Sequence, residues 1–251
     1  MYVRFLFFLL LLPVLVGCIT VEHSIPNERS VKITGPVLKN NISKIIMEVK
    51  HPNVNKIIIN SPGGNSLAVL LLAEEIYKRK LDVYVEGVCF SACSHMLLPA
   101  ANKVYVGRGS LIAFHTNILG WLEFLIDKDS NQFQETLADG IKIFNFLEKT
   151  GANTSFLFCA DALHNSNDEF TINTSGNLER ESLYSSIRAD LKTLEFYGVK
   201  AEYTNLNNLN YENLIKKSGV NLIGQRKTWS EEFCSTRKLE NQNRVISILS
   251  N

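Results

Sequence analysis

The chain has 251 residues, of which 45% are hydrophobic and 20% charged, and its formal net charge at pH 7 is +1. A chain of this length and composition can bury a hydrophobic core of ordinary size, so we expect one globular domain with at most a small appendage. The balanced charge provides no basic excess for a nucleic-acid partner and no acidic excess typical of disordered or metal-buffering segments. Composition therefore excludes nucleic-acid-binding, disordered and metal-buffering proteins, and it does not select among the remaining functional classes.

The N-terminus carries the pattern of an export signal. Arg4 precedes an apolar run over residues 5–16, which is shorter than the about 20 residues that a membrane-spanning helix needs and fits the hydrophobic region of a secretion signal. The sequence Leu15-Val16-Gly17-Cys18 resembles the lipobox of bacterial lipoprotein precursors, in which the cysteine is lipidated and becomes the mature N-terminus. A lipidated Cys18 would anchor the protein without a spanning helix.

These features predict how the chain is divided and where it resides. We expect a signal peptide over residues 1–17, a tether over 18–29, a main domain over 30–197 and a small αβ extension over 198–251. The protein is then anchored by lipid to the inner or outer membrane of a bacterial cell envelope, on the periplasmic side. The alternative is a single uncleaved membrane anchor.

That compartment is oxidising, so the remaining cysteines are candidates for disulfides. Without Cys18 the chain keeps Cys89, Cys93, Cys159 and Cys234, an even number that permits three pairings. Cys89 and Cys93 are spaced like one helical turn, where a bridge is geometrically tight, and a Cys159–Cys234 bridge would tie the C-terminal segment to the body. Zinc is the competing interpretation, but the sequence has no Cys-x-x-Cys pair, so we predict no metal and no cofactor.

Hydrophobic patterns along the chain predict an α/β fold. Apolar and β-branched runs predict strands over 31–34, 56–59, 83–85, 103–106 and 111–114. Apolar positions at helical spacing predict helices over 41–49, 66–80, 91–101, 131–149 and 179–197. The polar stretch 164–178 predicts a loop, and 220–223 an edge strand. Strand and helix alternating at this spacing imply a mostly parallel sheet with right-handed crossovers and flanking helices.

Two loops of this pattern carry residue types that suit acyl transfer. The segment Asn60-Ser61-Pro62-Gly63-Gly64 follows a strand, and its glycines can turn with positive φ and leave N–H groups where an oxyanion is held. An ordinary tight turn has the same composition. Ser91 is expected between the strand 83–85 and an apolar helix, where the following amides favour negative charge. An N-cap serine would occupy the same place.

A candidate base follows in the next predicted strand. His115 closes the strand 111–114, at the same end of a parallel sheet as the two loops, so its imidazole can take the Ser91 proton. His95, one turn into the helix after Ser91, is the rival base. Its neighbours Met96, Leu97 and Leu98 favour a packed core histidine.

In this order, Ile58–Gly64, Gly87–Ala92 and Leu111–His115 resemble segments of the proteolytic subunit of Clp protease and its extracytoplasmic relatives, over about residues 31–115. The resemblance implies the ClpP/crotonase-like fold, built of stacked ββα units with a mostly parallel sheet flanked by helices. It also implies Ser91 as nucleophile, His115 as base, and the amides of Gly64 and Ala92 as oxyanion donors.

The third member of the triad has no motif in this chain. We assign Asp168 as the acid that orients His115, with Asp161 as the alternative and Asn165 or Asn167 as neutral orienters. A dyad without the acid would work less efficiently.

The chain also departs from the family's pattern beside the site. Cys93 follows Ala92, and Thr116-Asn117 follows His115. A Ser/Lys dyad, used by other extracytoplasmic relatives, would need Lys128 or Lys142, and neither has a motif.

We therefore predict a lipid-anchored extracytoplasmic serine peptidase that hydrolyses peptide or protein substrates through an acyl-enzyme. The alternative is a non-catalytic binding or assembly lipoprotein of the same fold, which the unplaced acid favours. A Cys89–Cys93 bridge would clamp the turn that carries Ser91, whereas unbonded cysteines there would be small buried hydrophobes.

The partners expected beyond the substrate follow from the same resemblance. Because the family assembles through long helices, it implies a homo-oligomer that uses the helix 131–149, although that apolar face can equally cover the chain's own sheet. The sequence has no P-loop, so no nucleotide site and no ATPase module are predicted.

Overall fold

The computed structural model describes residues 18–25, 28–114, 131–154, 156, 169–172, 178–181, 187–189 and 191–204. Its strands are β1 (Cys18–Ile25), β2 (Glu28–Thr34), β3 (Val54–Ser61), β4 (Asp82–Phe90), β5 (Val104–Val106), β6 (Leu111–Phe114), β7 (Glu169–Ile172), β8 (Leu178–Glu181), β9 (Ile187–Arg188) and β10 (Ala201–Tyr203). Its helices are α1 (Ile42–Val49), α2 (Ser66–Arg79), a π-helix (Cys93–Leu97), α3 (Leu98–Ala100), α4 (Asn131–Thr150) and α5 (Leu191–Phe196).

The strands form a mostly parallel sheet, which confirms the predicted fold class. The order is β1-β2-β3-β4-β5-β10. The five strands from β2 to β10 in this order run parallel to one another, and β1 is antiparallel to β2. Parallel strands need crossover connections, and α1 and α2 supply them between β2, β3 and β4. As a result, the loops after β3 and β4 lie at the same edge of the sheet.

Strand β4 divides the sheet, because its two halves pair with different neighbours. Residues 83–85 pair with β5, whereas Val88, Cys89 and Phe90 pair with Leu111, Ile112 and Ala113 of β6. The predicted end of this strand near Val85 was wrong, since the strand continues to Phe90. Its extension brings β6 beside the chain segment that leads into Ser91.

Helices and sheet share one large core. Ile57 and Ile59 of β3 and Val83 and Val85 of β4 are fully buried, as the β-branched run predicts, and burying such side chains contributes about 1.5–3 kcal/mol each. The predicted helices over 41–49, 66–80 and 131–149 are confirmed, and the buried face of α4 packs against this same core.

Helix α2 begins and ends at identifiable signals. The Asn65 side chain accepts a hydrogen bond of 3.0 Å from the Ala68 amide, which is the contact of an N-cap residue. At the other end, Lys80 adopts φ 53° and its amide reaches the carbonyls of Ile76 and Tyr77. The N-terminal cap fixes where the loop after β3 turns into the helix.

Two predictions between residues 164 and 197 were wrong. The described part of 179–197 is not one continuous helix: β8 and β9 occupy two stretches of it, and the helix α5 covers Leu191–Phe196. The predicted loop 164–178 contains β7, which pairs with β8. Cross-strand pairing, including that of β9 with β6, overrides the helical spacing of the apolar residues. The predicted edge strand 220–223 lies outside the described residues.

The ends of the described chain join the main sheet. Residues 18–29, predicted as a tether, contain β1 and the start of β2. Beyond residue 197, strand β10 pairs with β5. Among the residues that the structure describes, no helix combines the length and apolarity needed to cross a membrane. The predicted signal peptide over 1–17 lies outside them.

Candidate active site

The loop after β3 packs directly against the loop after β4. Gly63 has φ +100°, and a Cβ added to it would lie 2.7 Å from the Phe90 carbonyl oxygen, 2.9 Å from Ser91 Cβ and 3.0 Å from the Ala92 nitrogen. These distances are shorter than real Cβ contacts, and positive φ strains any L side chain. Glycine is therefore required where the two loops meet.

The next residue, Gly64, packs against the loop after β2 instead of the loop after β4. Gly64 has φ +139°, and its added Cβ would lie 2.1 Å from the Val37 carbonyl oxygen. The Val37 amide donates to Gly63 O at 2.8 Å, and the Asn65 amide donates to Val37 O at 2.9 Å. The loop after β2 thus holds the glycine turn by backbone hydrogen bonds, and Gly64 itself remains exposed.

Ser61 stabilises the glycine turn by hydrogen bonds between its side chain and the backbone of the turn. It is fully buried, and its hydroxyl lies 3.1 Å from the Gly63 amide, from which it accepts, and 3.2 Å from Gly63 O, to which it donates. Side-chain hydrogen bonds of this local kind replace the backbone pairing that a turn loses. The sequence motif included Ser61 without assigning it this role.

Ser91 has a strained backbone. Its φ is +56°, and Lys80 is the other non-glycine residue with positive φ among the described residues. Such a conformation costs about 1–3 kcal/mol and persists where surrounding contacts impose it. Ser91 lies between β4 and the π-helix and is half-buried. A serine on a strained strand-to-helix turn is the arrangement of a nucleophile elbow, although the flanking residues differ from that motif.

A disulfide joins the residues on either side of this turn. Cys89, in β4, is bonded to Cys93, the first residue of the π-helix, with their Cα atoms 5.4 Å apart. Both cysteines are fully buried. The bridge therefore encloses Phe90, Ser91 and Ala92 in a small covalent ring.

Ser94 connects the same turn to β6. Its buried hydroxyl lies 2.9 Å from Ser91 O and 2.7 Å from Ala113 O, and shares its single proton between these carbonyls. Ala113 is paired with Phe90, so the end of β6 is fixed beside Ser91. Sequence analysis missed Ser94, because a serine within an apolar helix carries no motif.

Two side chains form hydrogen bonds with backbone groups of β4 at the point where this strand changes its pairing partner. The Asn60 side-chain oxygen accepts from the Val88 amide at 3.0 Å. On the other side, the Ser110 hydroxyl accepts from the Gly87 amide at 3.1 Å and donates to Val85 O at 2.6 Å. These bonds compensate for the ladder contacts that β4 lacks at this point. Sequence analysis missed Ser110, since a serine before a strand looks like an ordinary turn residue.

The predicted base and acid fall outside the described residues. Strand β6 ends at Phe114, one residue past the Phe90–Ala113 pair and therefore at the edge that carries Ser91. His115, which follows it in sequence, is not described, and neither are Asp161, Asp168, Asn165, Asn167, Lys128, Cys159 and Cys234. The structure places the Gly63-Gly64 turn against the Ser91-Ala92 turn. The roles of the base and of the acid stay predictions.

The rival residues occupy other environments. His95 is buried, and its ring stacks on Phe114 with centroids 5.5 Å apart. Its carbonyl accepts a hydrogen bond of 2.7 Å from the Tyr197 hydroxyl, whose pKa is raised above its usual range by burial. Lys142 is exposed on α4 and pairs with Asp139 at 3.1 Å. His95 thus belongs to an aromatic cluster, and Lys142 to a solvated helix face.

These groups suit chemistry by a hydroxyl nucleophile. Within the described ranges, no three histidine, cysteine or acidic side chains converge as metal ligands would. What does converge at one sheet edge is a strained serine, the amide that follows it and a glycine turn. Such a set can form an acyl-enzyme and hold an oxyanion.

Comparisons with known proteins add a similarity of fold. No protein-family model matches the chain, and no curated protein matches its sequence. A crystal structure of the ClpP protease catalytic domain from Plasmodium falciparum aligns with 72% of this chain and 87% of its own, at 14% identity and a TM-score of 0.47. A peptidase from the same organism aligns with 48% of this chain and 76% of its own, at 14% identity and a TM-score of 0.38. At these values the similarity assigns neither a family nor an activity to this chain.

Proposed function

We propose that this protein is a serine hydrolase that cleaves peptide bonds through an acyl-enzyme on Ser91. The observation that carries the proposal is the left-handed backbone of Ser91 at a strand-to-helix turn, pressed against Gly63. Strain of this kind in a half-buried polar residue marks functional sites. An N-cap serine has an extended backbone and needs no positive φ, so capping does not account for this conformation.

The reaction follows the template of serine peptidases. The Ser91 hydroxyl attacks the carbonyl carbon of the scissile bond, while the His115 imidazole takes the hydroxyl proton and then gives it to the leaving amine. The amides of Gly64 and Ala92 stabilise the oxyanion. Water then attacks the acyl-enzyme by the same route, releasing the acid and restoring Ser91. Asp168 is our assignment for the group that orients His115.

Packing around the turn supports the roles of the two amides. The Ala92 nitrogen lies beside Gly63, so the peptide linking Gly63 to Gly64 and the one linking Ser91 to Ala92 are neighbours. Gly64 is exposed and Ser91 half-exposed, which leaves room for a substrate carbonyl. Preorganised donors in such a position contribute about 2.7–4 kcal/mol of transition-state stabilisation each.

The proposal also includes anchoring through a lipid on Cys18, based on the Leu15–Cys18 sequence. Cys18 is the first residue of β1 and lies in register with Thr34 at the end of β2. An anchor there would hold the domain close to the bilayer. Metabolic labelling with a radioactive fatty acid would test it: wild type should incorporate label, and Cys18→Ser should not.

Active-serine chemistry is tested by labelling the full chain with a fluorophosphonate. We expect wild type to be labelled, and Ser91→Ala and His115→Ala to lose labelling by a factor of 10³ or more, in line with the loss of triad members in serine proteases. Ser66→Ala, at a half-buried serine that begins α2, is the matched control and should label normally. A folded wild type that is not labelled would falsify this proposal and favour the binding or assembly role.

A further inference from the structure

We propose that the Cys89–Cys93 disulfide is a positioning element for the reaction of Ser91. The inference rests on the proposed function, and it adds that the reduced chain keeps its fold but reacts slowly. The bridge would act by holding Ser91 in its left-handed conformation and the Ala92 amide beside Gly63.

The first argument is the position of the bond within the chain. Cys89 is held in the sheet by pairing with Ile112 on one side and Ser61 on the other. Cys93 starts the π-helix. The bond therefore joins the fixed strand to the start of the helix across the residues that turn. A crosslink in such a place restricts the turn directly, because only three residues lie between its ends.

The second argument is the conformation that the bond restricts. Left-handed backbone is unfavourable for serine, so Ser91 would relax towards negative φ if its neighbours allowed it. That rotation reorients the peptide between Ser91 and Ala92, and with it the predicted oxyanion donor. Noncovalent contacts hold the Ser91 carbonyl through the Ser94 hydroxyl and the His95 amide, whereas the disulfide joins the strand to the helix covalently across the turn.

The third argument is burial. Both cysteines have 0% exposure, so a soluble reductant has no access to the sulfur atoms in the folded protein. The bond is then a permanent part of the site, made when the chain folds in an oxidising compartment. Its burial does not suit a reversible switch, since thiol–disulfide exchange needs access of the attacking thiol to a sulfur atom.

The test compares fluorophosphonate labelling of full-length wild type and Cys89→Ala/Cys93→Ala over a series of probe concentrations. We expect the maximal labelling rate of the double variant to fall 10- to 100-fold, with the half-saturating probe concentration changed less than twofold. A merely structural role would lower the labelled fraction without slowing the folded molecules. Unchanged labelling kinetics in a folded double variant would overturn the inference.

Two controls separate this result from loss of folding and from failure of the proposed function. Ile76→Ala removes a buried side chain near the far end of α2 and should label at the wild-type rate despite lower stability. If the double alanine variant does not fold, Cys89→Ala/Cys93→Val restores part of the lost volume and takes its place. Absence of labelling in wild type would instead refute the serine-hydrolase proposal and, with it, this inference.

Discussion

Among the residues that the structure describes, two turns contain a non-glycine residue with positive φ, and they differ in what imposes it. Lys80 ends α2 with φ 53°; its amide and that of Leu81 bond to carbonyls of the preceding helical turn, and its side chain is exposed. Ser91 has φ 56°. Its carbonyl accepts from the Ser94 hydroxyl and the His95 amide, but its side chain also packs against Gly63 in the loop after β3, and the Cys89–Cys93 disulfide closes a ring around it.

This difference distinguishes a local from a tertiary cause of strain. A helix commonly ends in a left-handed residue because its last carbonyls need donors, so Lys80 follows from helix termination alone. No helix ends at Ser91, where a strand changes into a π-helix. Part of what surrounds Ser91 is distant in sequence, namely the glycine turn at Gly63, so its strain does not follow from helix termination and points to function.

The largest effect should come from removing the space that Ser91 requires. Gly63→Ala forces a Cβ to within 3.0 Å of Phe90, Ser91 and Ala92 at φ +100°, which we expect to destabilise the protein by about 2–5 kcal/mol. Thermal unfolding should show a Tm lower by roughly 5–20 °C. Gly151 has φ +79° with nothing within 4 Å of its added Cβ, so Gly151→Ala, the control, should cost only about 1 kcal/mol. Equal losses in both variants would contradict a tight contact between the two loops.

A smaller effect should follow from cutting the link between Ser91 and β6. Ser94→Ala removes the hydroxyl shared by Ser91 O and Ala113 O, and we expect it to reduce stability by about 1–3 kcal/mol. Fluorophosphonate labelling should slow roughly tenfold, since about 1.4 kcal/mol of lost positioning corresponds to that factor. Thr136→Ala removes a hydroxyl that donates to Gln132 O at 2.7 Å on an exposed helix face and should leave labelling unchanged. Equal labelling rates in wild type and Ser94→Ala would show that Ser94 does not position the nucleophile.

The smallest expected change in stability comes from a direct comparison of the two turns. Lys80→Gly and Ser91→Gly each relieve left-handed strain, so we expect each variant to gain up to about 1 kcal/mol in stability. Only Ser91→Gly should abolish labelling. Denaturant unfolding, with labelling of the same samples, measures both properties. Loss of stability in Ser91→Gly would mean that its hydroxyl has a structural role, contrary to our comparison.

Much of the fold could be predicted from the sequence, because its pattern reflects local burial. The apolar run at 56–59 and the helical spacing in α2 and α4 record which faces are buried, so these elements are where we expected them. The helix predicted over 179–197 was wrong because β8 pairs with β7, which lies outside that segment, and β9 pairs with β6, which is far away in sequence. Periodicity over one segment does not contain such information.

The candidate site was only partly predictable, for the same reason. Ser91 and the Gly63-Gly64 turn carry recognisable residue types, and their order along the chain suggested that they meet. Ser94 and Ser110 have no motif, because a buried hydroxyl is identified by the distant carbonyl to which it donates. The alternation of apolar and polar residues also did not indicate that β4 continues past Val85 to Phe90 and changes its pairing from β5 to β6.

The amino-acid sequence by itself determined the α/β alternation, the two glycines at the first loop and the serine at the second, because hydrophobic period and backbone freedom are properties of the residues. The tertiary structure alone decided that Gly63 touches Ser91, that Ser91 has a positive φ and that Cys89 bonds to Cys93. These features depend on how β3, β4 and β6 are aligned side by side, and that alignment is set by the packing of the whole sheet against its helices.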